Sequence, residues 1–158
     1  MPTTFIDLSE FNVVVEAVIG GAQRVVGSIL ARIDSDFVPQ FVYDRVASTL
    51  NGAVNNAAGA LRGITRQAIG LGQDPTAFVT GRIHDIVARY IAQLSAGVQP
   101  LVGIPVIGTA AQGYQSILGS LMSIVDGALR NMTANGHSIQ ATATQIASAF
   151  ERIARQIG

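Results

Sequence analysis

The sequence predicts an all-α fold, a single-domain bundle of about five amphipathic helices. Three observations carry that expectation. Apolar residues recur every three or four positions along nearly the whole chain, the spacing of one helix face. The strict alternation of a half-buried strand is not found. Gly, Pro, Asp and Asn interrupt the pattern at short intervals that leave segments of helix length between them. At 158 residues the chain has the size of one domain, expected to cover 1–158, and it is long enough to bury a core without staples.

The first helix is expected over about 9–33. Asp7 and Glu10 have capping-box spacing, or Ser9 caps directly. Phe11, Val15, Val18, Ala22, Val25, Ile29 and Ile33 form its apolar stripe, with Asn12, Glu16, Gln23 and Arg24 off it. The second is expected over 40–71, started by Asp36 or Pro39 and ended by Gly70 and Gly72. Val42, Val46, Leu50, Val54, Ala57, Leu61, Ile64 and Ala68 line it, and Gly52, Gly59 and Gly63 are candidate bends or breaks.

The third, over 75–96, opens on Asp74 as N-cap and Pro75 at the first helical position. Val79, Ile83, Ile86, Tyr90 and Leu94 face inward, while Arg82, Asp85 and Arg89 are spaced for ion pairs on the wet face. Gly97 and Pro100 read as its stop, and Val98 to Gly108 as an apolar connector broken by Pro105 and Gly103. The fourth helix, over 109–133, carries Tyr114, Leu118, Leu121, Val125, Ala128 or Leu129, and Met132. Asp126 and Arg130 form an i,i+4 pair there, and Asn135–Gly136 ends it. The fifth, over 138–157, buries Ile139, Ala143, Ile146, Phe150, Ile153 and Ile157 and pairs Glu151 with Arg155 outside. Short loops make neighbouring helices antiparallel.

Composition narrows the function. The chain is 49% hydrophobic but 13% charged, against roughly 25% charged in ordinary soluble domains. Net charge is zero, which argues against a nucleic-acid partner and removes long-range repulsion between copies. All ten basic residues are Arg, a bias that GC-rich coding or a specialised composition explains. Cys is absent, so there is no disulfide frame, thiol nucleophile or Cys-based zinc site. The start MPTTFIDLSEF has no basic segment leading into an apolar one and does not read as a signal peptide.

No catalytic, cofactor-binding or metal-ligating constellation is found. His84, in Arg82-Ile83-His84-Asp85, is either a pH-sensing group held by a carboxylate or a solvated surface histidine. His137 belongs to the turn Asn135-Gly136-His137-Ser138. No HExxH, paired-Cys, EF-hand, GxGxxG or phosphate-loop pattern occurs. Asn131-Met132-Thr133 matches a glycosylation triplet. No enzymatic activity, cofactor or metal is therefore expected.

The uncharged run from Tyr90 to Val125 raises the question of a membrane. Within Leu101–Val125, Gly103 and Pro105 break one part, and Gln112, Gln115, Ser116, Ser120 and Ser123 interrupt the rest. An amphipathic helix facing a core explains it better than a transmembrane span. The helix glycines have two readings: close helix packing, with Gly59 and Gly63 at GxxxG spacing, or a bundle kept metastable so that it can open.

Stretches such as DRVASTLNGAVNNAAGALRGI and LGQDPTAFVTGRIHDIVARYIAQLSAGV resemble the globular helical domains of spider silk proteins, in particular the aciniform repeat units. The resemblance covers most of the chain in composition and style and assigns no functional residue. It implies a soluble, secreted bundle that assembles into fibre and partly converts to sheet. The expected role is thus a non-enzymatic extracellular structural module of silk-like type that associates with itself. Two alternatives stand beside it: a secreted amphipathic bundle that binds lipid or coats an interface like a surfactant, and a bacterial secreted or granule-surface helical protein.

Overall fold

A computed structural model describes residues 11–34, 37–69, 75–134 and 138–157. Five helices follow one another: α1 (Phe11–Ile33), α2 (Gln40–Ile69), α3 (Pro75–Val102), α4 (Gly108–Ala134) and α5 (Ile139–Ile157). No strand occurs among the described residues. The caps proposed at Asp7, Ser9, Glu10, Asp36 and Asp74, and the stops at Gly70, Gly72, Asn135 and Gly136, lie outside the described residues. Ser138 does cap α5, its hydroxyl accepting from the Ala141 amide at 3.0 Å.

Ala68 lies outside the described side chains; the other predicted stripe positions become the core, apart from two at stripe ends. Every predicted α1 position is buried, and so are Val14, Ile19 and Val26. That width follows from α1's surroundings, since it packs on α5 and α2 and is also touched by α3. On α4, Ala128 and Leu129 are both buried, so both candidates for that position were right. Val42 and Ile139, at the ends of their stripes, are only half-buried.

The packing order is a ring, with α1 on α2, α2 on α3, α3 on α4, α4 on α5, and α5 back on α1. Consecutive helices are antiparallel, as Arg62 near Glu16 shows for α1 and α2, and Gln115 near Ser95 with His84 near Asp126 for α3 and α4. A ring of five such helices closes on a parallel pair. Gly20, Gly21 and Arg24 of α1 accordingly lie beside Ala147, Phe150 and Glu151 of α5 in the same order. That closure is tight: a methyl on Gly21 would overlap Cβ and Cγ of the fully buried Phe150. Glycine is what lets the two backbones approach.

A side-chain hydrogen bond crosses the ring. The Tyr90 hydroxyl of α3 donates to the Ala22 carbonyl of α1 at 2.8 Å. Tyr90 is 1% exposed, and burial pushes its phenol far above the ordinary tyrosine range. Burial also pushes the Tyr114 phenol up, partly offset by the Arg32 guanidinium beside it.

The boundary of α3 departs from the sequence expectation. The helix does not stop at Gly97; it runs through Pro100 to Val102. Val98 and Leu101, fully buried, extend the stripe of Tyr90 and Leu94 by the same four-three steps. That burial, at about 1.5–3 kcal/mol per large side chain, offsets the hydrogen bond that Pro100 removes. Gly97 is a contact site, because a Cβ there would stand 2.8 Å from Leu50 Cδ2 on α2. The connector therefore shrinks to 103–107, held by Ile104 N–H to Leu101 O at 3.0 Å and Gly108 N–H to Ile104 O at 2.8 Å. A Cβ on Gly108 would strike the Val102 carbonyl oxygen, so this sharp return needs glycine. Val106 sits in the turn at φ 75°, a strained conformation for a β-branched residue.

The remaining helix glycines do not pack closely. A Cβ would meet nothing within 4 Å at Gly20, Gly27, Gly52, Gly59, Gly63, Gly81, Gly113, Gly119 or Gly127. The GxxxG reading of Gly59 and Gly63 is corrected accordingly: neither brings a second helix close. Nor do Gly52, Gly59 and Gly63 split α2, which stays one helix from Gln40 to Ile69.

Two outcomes follow. Gly59→Ala and Gly119→Ala should each raise stability by about 0.5–1 kcal/mol, whereas Gly21→Ala should lower it by about 1–3 kcal/mol through overpacking, all read by urea unfolding. Tyr90 holds its proton in the folded state above the pH at which an unfolded tyrosine loses it, about 10. The unfolded chain therefore binds fewer protons there, and stability must fall as pH rises beyond about 10. Tyr90→Phe should lower stability at pH 7 by about 1 kcal/mol and flatten that alkaline decline.

Candidate functional site

The most concentrated polar chemistry lies across α3 and α4. His84, half-exposed, has Nδ1 3.3 Å from Asp85 Oδ1 and Nε2 3.6 Å from Asp126 Oδ1. Arg130 meets the other Asp126 oxygen at 3.0 Å, the predicted i,i+4 pair. His84 is thus neither solitary nor simply solvated, as it bridges two helices through carboxylates. Asp85 goes to His84, and no ion pair within 4 Å joins it to Arg82 or Arg89. The pairs expected there do not form. Arg82 lies along the bundle with Nε enclosed and without a hydrogen-bond partner.

Further along the same seam, Gln115 Nε2 donates to the Ser95 carbonyl and to Gln99 Oε1, both at 2.9 Å. Ion pairs at other seams are sparse and exposed. Arg24 reaches Glu151 at 3.7 Å across α1 and α5, and Arg62 reaches Glu16 at 4.0 Å across α1 and α2. The predicted Glu151–Arg155 pair is present at 2.7 Å. Such exposed pairs contribute about 0–1 kcal/mol each.

Among the described residues, grooves open between the helices. One of them, about 400 Å³ between α4 and α5, is walled by Ile124, Gly127, Asn131, Thr144, Ser148 and Arg152. Its volume falls within the range of small-ligand sites, but Arg152 is its only charged group, and no acid, base or nucleophile converges there. Asn131 of the glycosylation triplet lies on this wall, inside α4 and next to the buried Met132. A smaller groove of about 240 Å³ runs over Gly20 and Gly21 between Arg24 and Glu151. Among the described residues no group of three His, Cys, Asp or Glu side chains is placed to hold a metal ion. His137 is outside the described residues.

The third feature is apolar. Phe37 is 60% exposed, Phe41 76% and Val106 71%. Phe37 and Phe41 flank the start of α2, whose first turn is closed by Val42 and Tyr43 amides on the Pro39 carbonyl at 3.0 Å. Val38 and Tyr43 occupy the staple positions around that start and turn inward. Phe37 and Phe41 take no part in the staple. The α1–α2 and α3–α4 turns lie at one end of the bundle, so Val106 is at the same end as Phe37 and Phe41.

Among the described residues one helix, α1, is long and apolar enough to cross a membrane by length and composition. Ten of its residues are buried in the bundle. The Leu101–Val125 run is instead the end of α3, a turn and most of α4.

No protein-family model, curated protein or solved structure matches the chain.

The His84 bridge is a surface feature, and its removal has a bounded effect. His84→Ala and Asp126→Asn should each change unfolding free energy at neutral pH by less than about 1 kcal/mol, with an unaltered helical circular-dichroism spectrum.

Proposed function

We propose that the chain is a non-enzymatic extracellular structural module of silk-like type, a helical bundle that is stored soluble and assembles by opening. One observation carries this reading: nine helix glycines occupy positions where a Cβ would meet nothing. Each gives up about 0.5–1 kcal/mol of helix stability relative to Ala, and no close approach is gained in return. Their combined effect is comparable with the net stability of an ordinary domain, about 5–15 kcal/mol. A bundle built this way is held by its core and by little else.

The charge pattern supports the same reading. Net charge is zero, so copies approach without repulsion. Among the described residues the Arg–Glu pairs between helices, Arg24–Glu151 and Arg62–Glu16, are long and exposed and hold the bundle weakly.

A second reading turns the same helices outward onto a lipid or air interface. The observation favouring it is α1, apolar enough to lie in a membrane once α5 leaves it.

Concentrated protein that is sheared or acidified should form fibres and gain sheet signal by infrared spectroscopy. Changing Gly20, Gly59, Gly63 and Gly119 to Ala should raise the melting temperature and slow that conversion. A wild-type solution that stays monomeric and helical under both treatments sinks the structural reading. A fall in surface tension at micromolar protein, without fibres, moves the assignment to the interface.

A further inference from the structure

We infer that the groove between α4 and α5 binds a small free carboxylate with an apolar body, of the class of a medium-chain fatty acid. The inference goes beyond the assembly reading and does not depend on it.

The two walls of the groove differ in chemistry. On α5, Thr144, Ser148 and Arg152 follow one another at four-residue steps and form a polar row along one lip. On α4, Ile124 and Gly127 make an apolar wall, and the buried Ala128 and Ala149 form the floor. Ile124 is 37% exposed, although it is a large apolar residue on a packed helix. Gly127 is one of the glycines at which a Cβ would meet nothing, and here the open space is the groove itself. Small residues at 127, 128 and 149 leave a depth that larger ones would fill. From Ile124 to Asn131, and from Thr144 to Arg152, the walls run about 10–12 Å at the helical rise. That length and a volume of about 400 Å³ suit a small elongated molecule.

Charge selects the occupant. Arg152 is cationic, and no carboxylate lines the groove with it. Among the described residues no acid pairs with Arg152 within 4 Å; the adjacent Glu151 is turned to Arg24 and Arg155 instead. The counter-charge is therefore left for a ligand to bring. Ser148 lies one turn before Arg152 on the same lip, so its hydroxyl and the guanidinium can donate to the oxygens of one carboxylate. The apolar body of such a ligand then lies along Ile124, Gly127 and Ala128. A cation of the same shape meets only repulsion from Arg152.

The exposure of the lip sets the strength. Thr144, Ser148 and Arg152 are all exposed, and water screens a charge pair there. Binding is correspondingly weak, with Kd on the order of 0.1–1 mM. Because the ligand touches two helices, it binds only the closed bundle and stabilises it by mass action.

Titration of the whole chain with octanoate, to about 10 mM, tests this by amide NMR shifts and melting temperature. Arg152→Gln removes the charge. Gly127→Leu places a side chain in the groove from a position where its Cβ meets nothing. Circular dichroism checks that the helices remain in both variants. The expected result is saturable shifts centred on residues 124–131 and 144–152, with a raised melting temperature. Affinity should fall about tenfold in each variant, and octylammonium should leave these amides unmoved. Octanoate that shifts amides throughout the chain without saturation overturns the inference. So does either variant binding as tightly as wild type, or octylammonium binding as well as octanoate. Arg152-dependent flotation with phosphatidylglycerol vesicles, when free octanoate does not bind, also overturns it, since Arg152 then belongs to a lipid-headgroup surface.

Discussion

The closure of α1 on α5 is the constraint on which the rest of the structure depends. Four of the ring's five seams join helices adjacent in sequence, and short turns deliver them side by side. The fifth joins the first helix to the last and must form by long-range association. It rests on Gly21, whose missing side chain admits the Phe150 ring, with Arg24 and Glu151 meeting at the edge. Once it forms, α1 is enclosed on several sides, which explains why its buried face is wider than a single stripe. Tyr90 then spans the interior to the Ala22 carbonyl and ties the seam to the opposite wall. Without the closure, α1 would expose the most apolar surface of the molecule.

Most of the fold was legible from period alone. Among the described side chains the stripes of the five helices are the buried faces, with Val42 and Ile139 half-buried at their ends, because burial is what selects apolar residues at three-four spacing. The end of α3 was not legible. Gly97 and Pro100 are local signals for a stop, and only the position of Leu50, on another helix, shows that Gly97 serves a close approach. The buried residues Val98 and Leu101 did keep the helical step, so the pattern there was correct and the punctuation misleading. Gly59 and Gly63 erred in the opposite direction: their spacing suggested a partner, and the space beside them is empty.

The polar and apolar surface features divide along the same line. Asp126–Arg130 and Glu151–Arg155 lie within one helix turn and could be read directly. His84–Asp126 and Gln115–Ser95 depend on the register between α3 and α4, which no local spacing encodes. Phe41 offered a signal that went unused, since it stands one residue before the start of the α2 stripe at Val42 and so points well away from it. The outward pose of Val106 depends on a left-handed backbone that its residue type disfavours, and nothing local announces it.

An odd number of helices has a mechanical consequence. Because α1 and α5 run parallel, the chain enters the bundle at one end and leaves it at the other. Tension applied between Phe11 and Ile157 pulls the two helices lengthwise past each other along their common seam. The contacts of that seam then bear the load together, in shear, instead of peeling apart one after another. An even ring would place both ends on the same side and unzip.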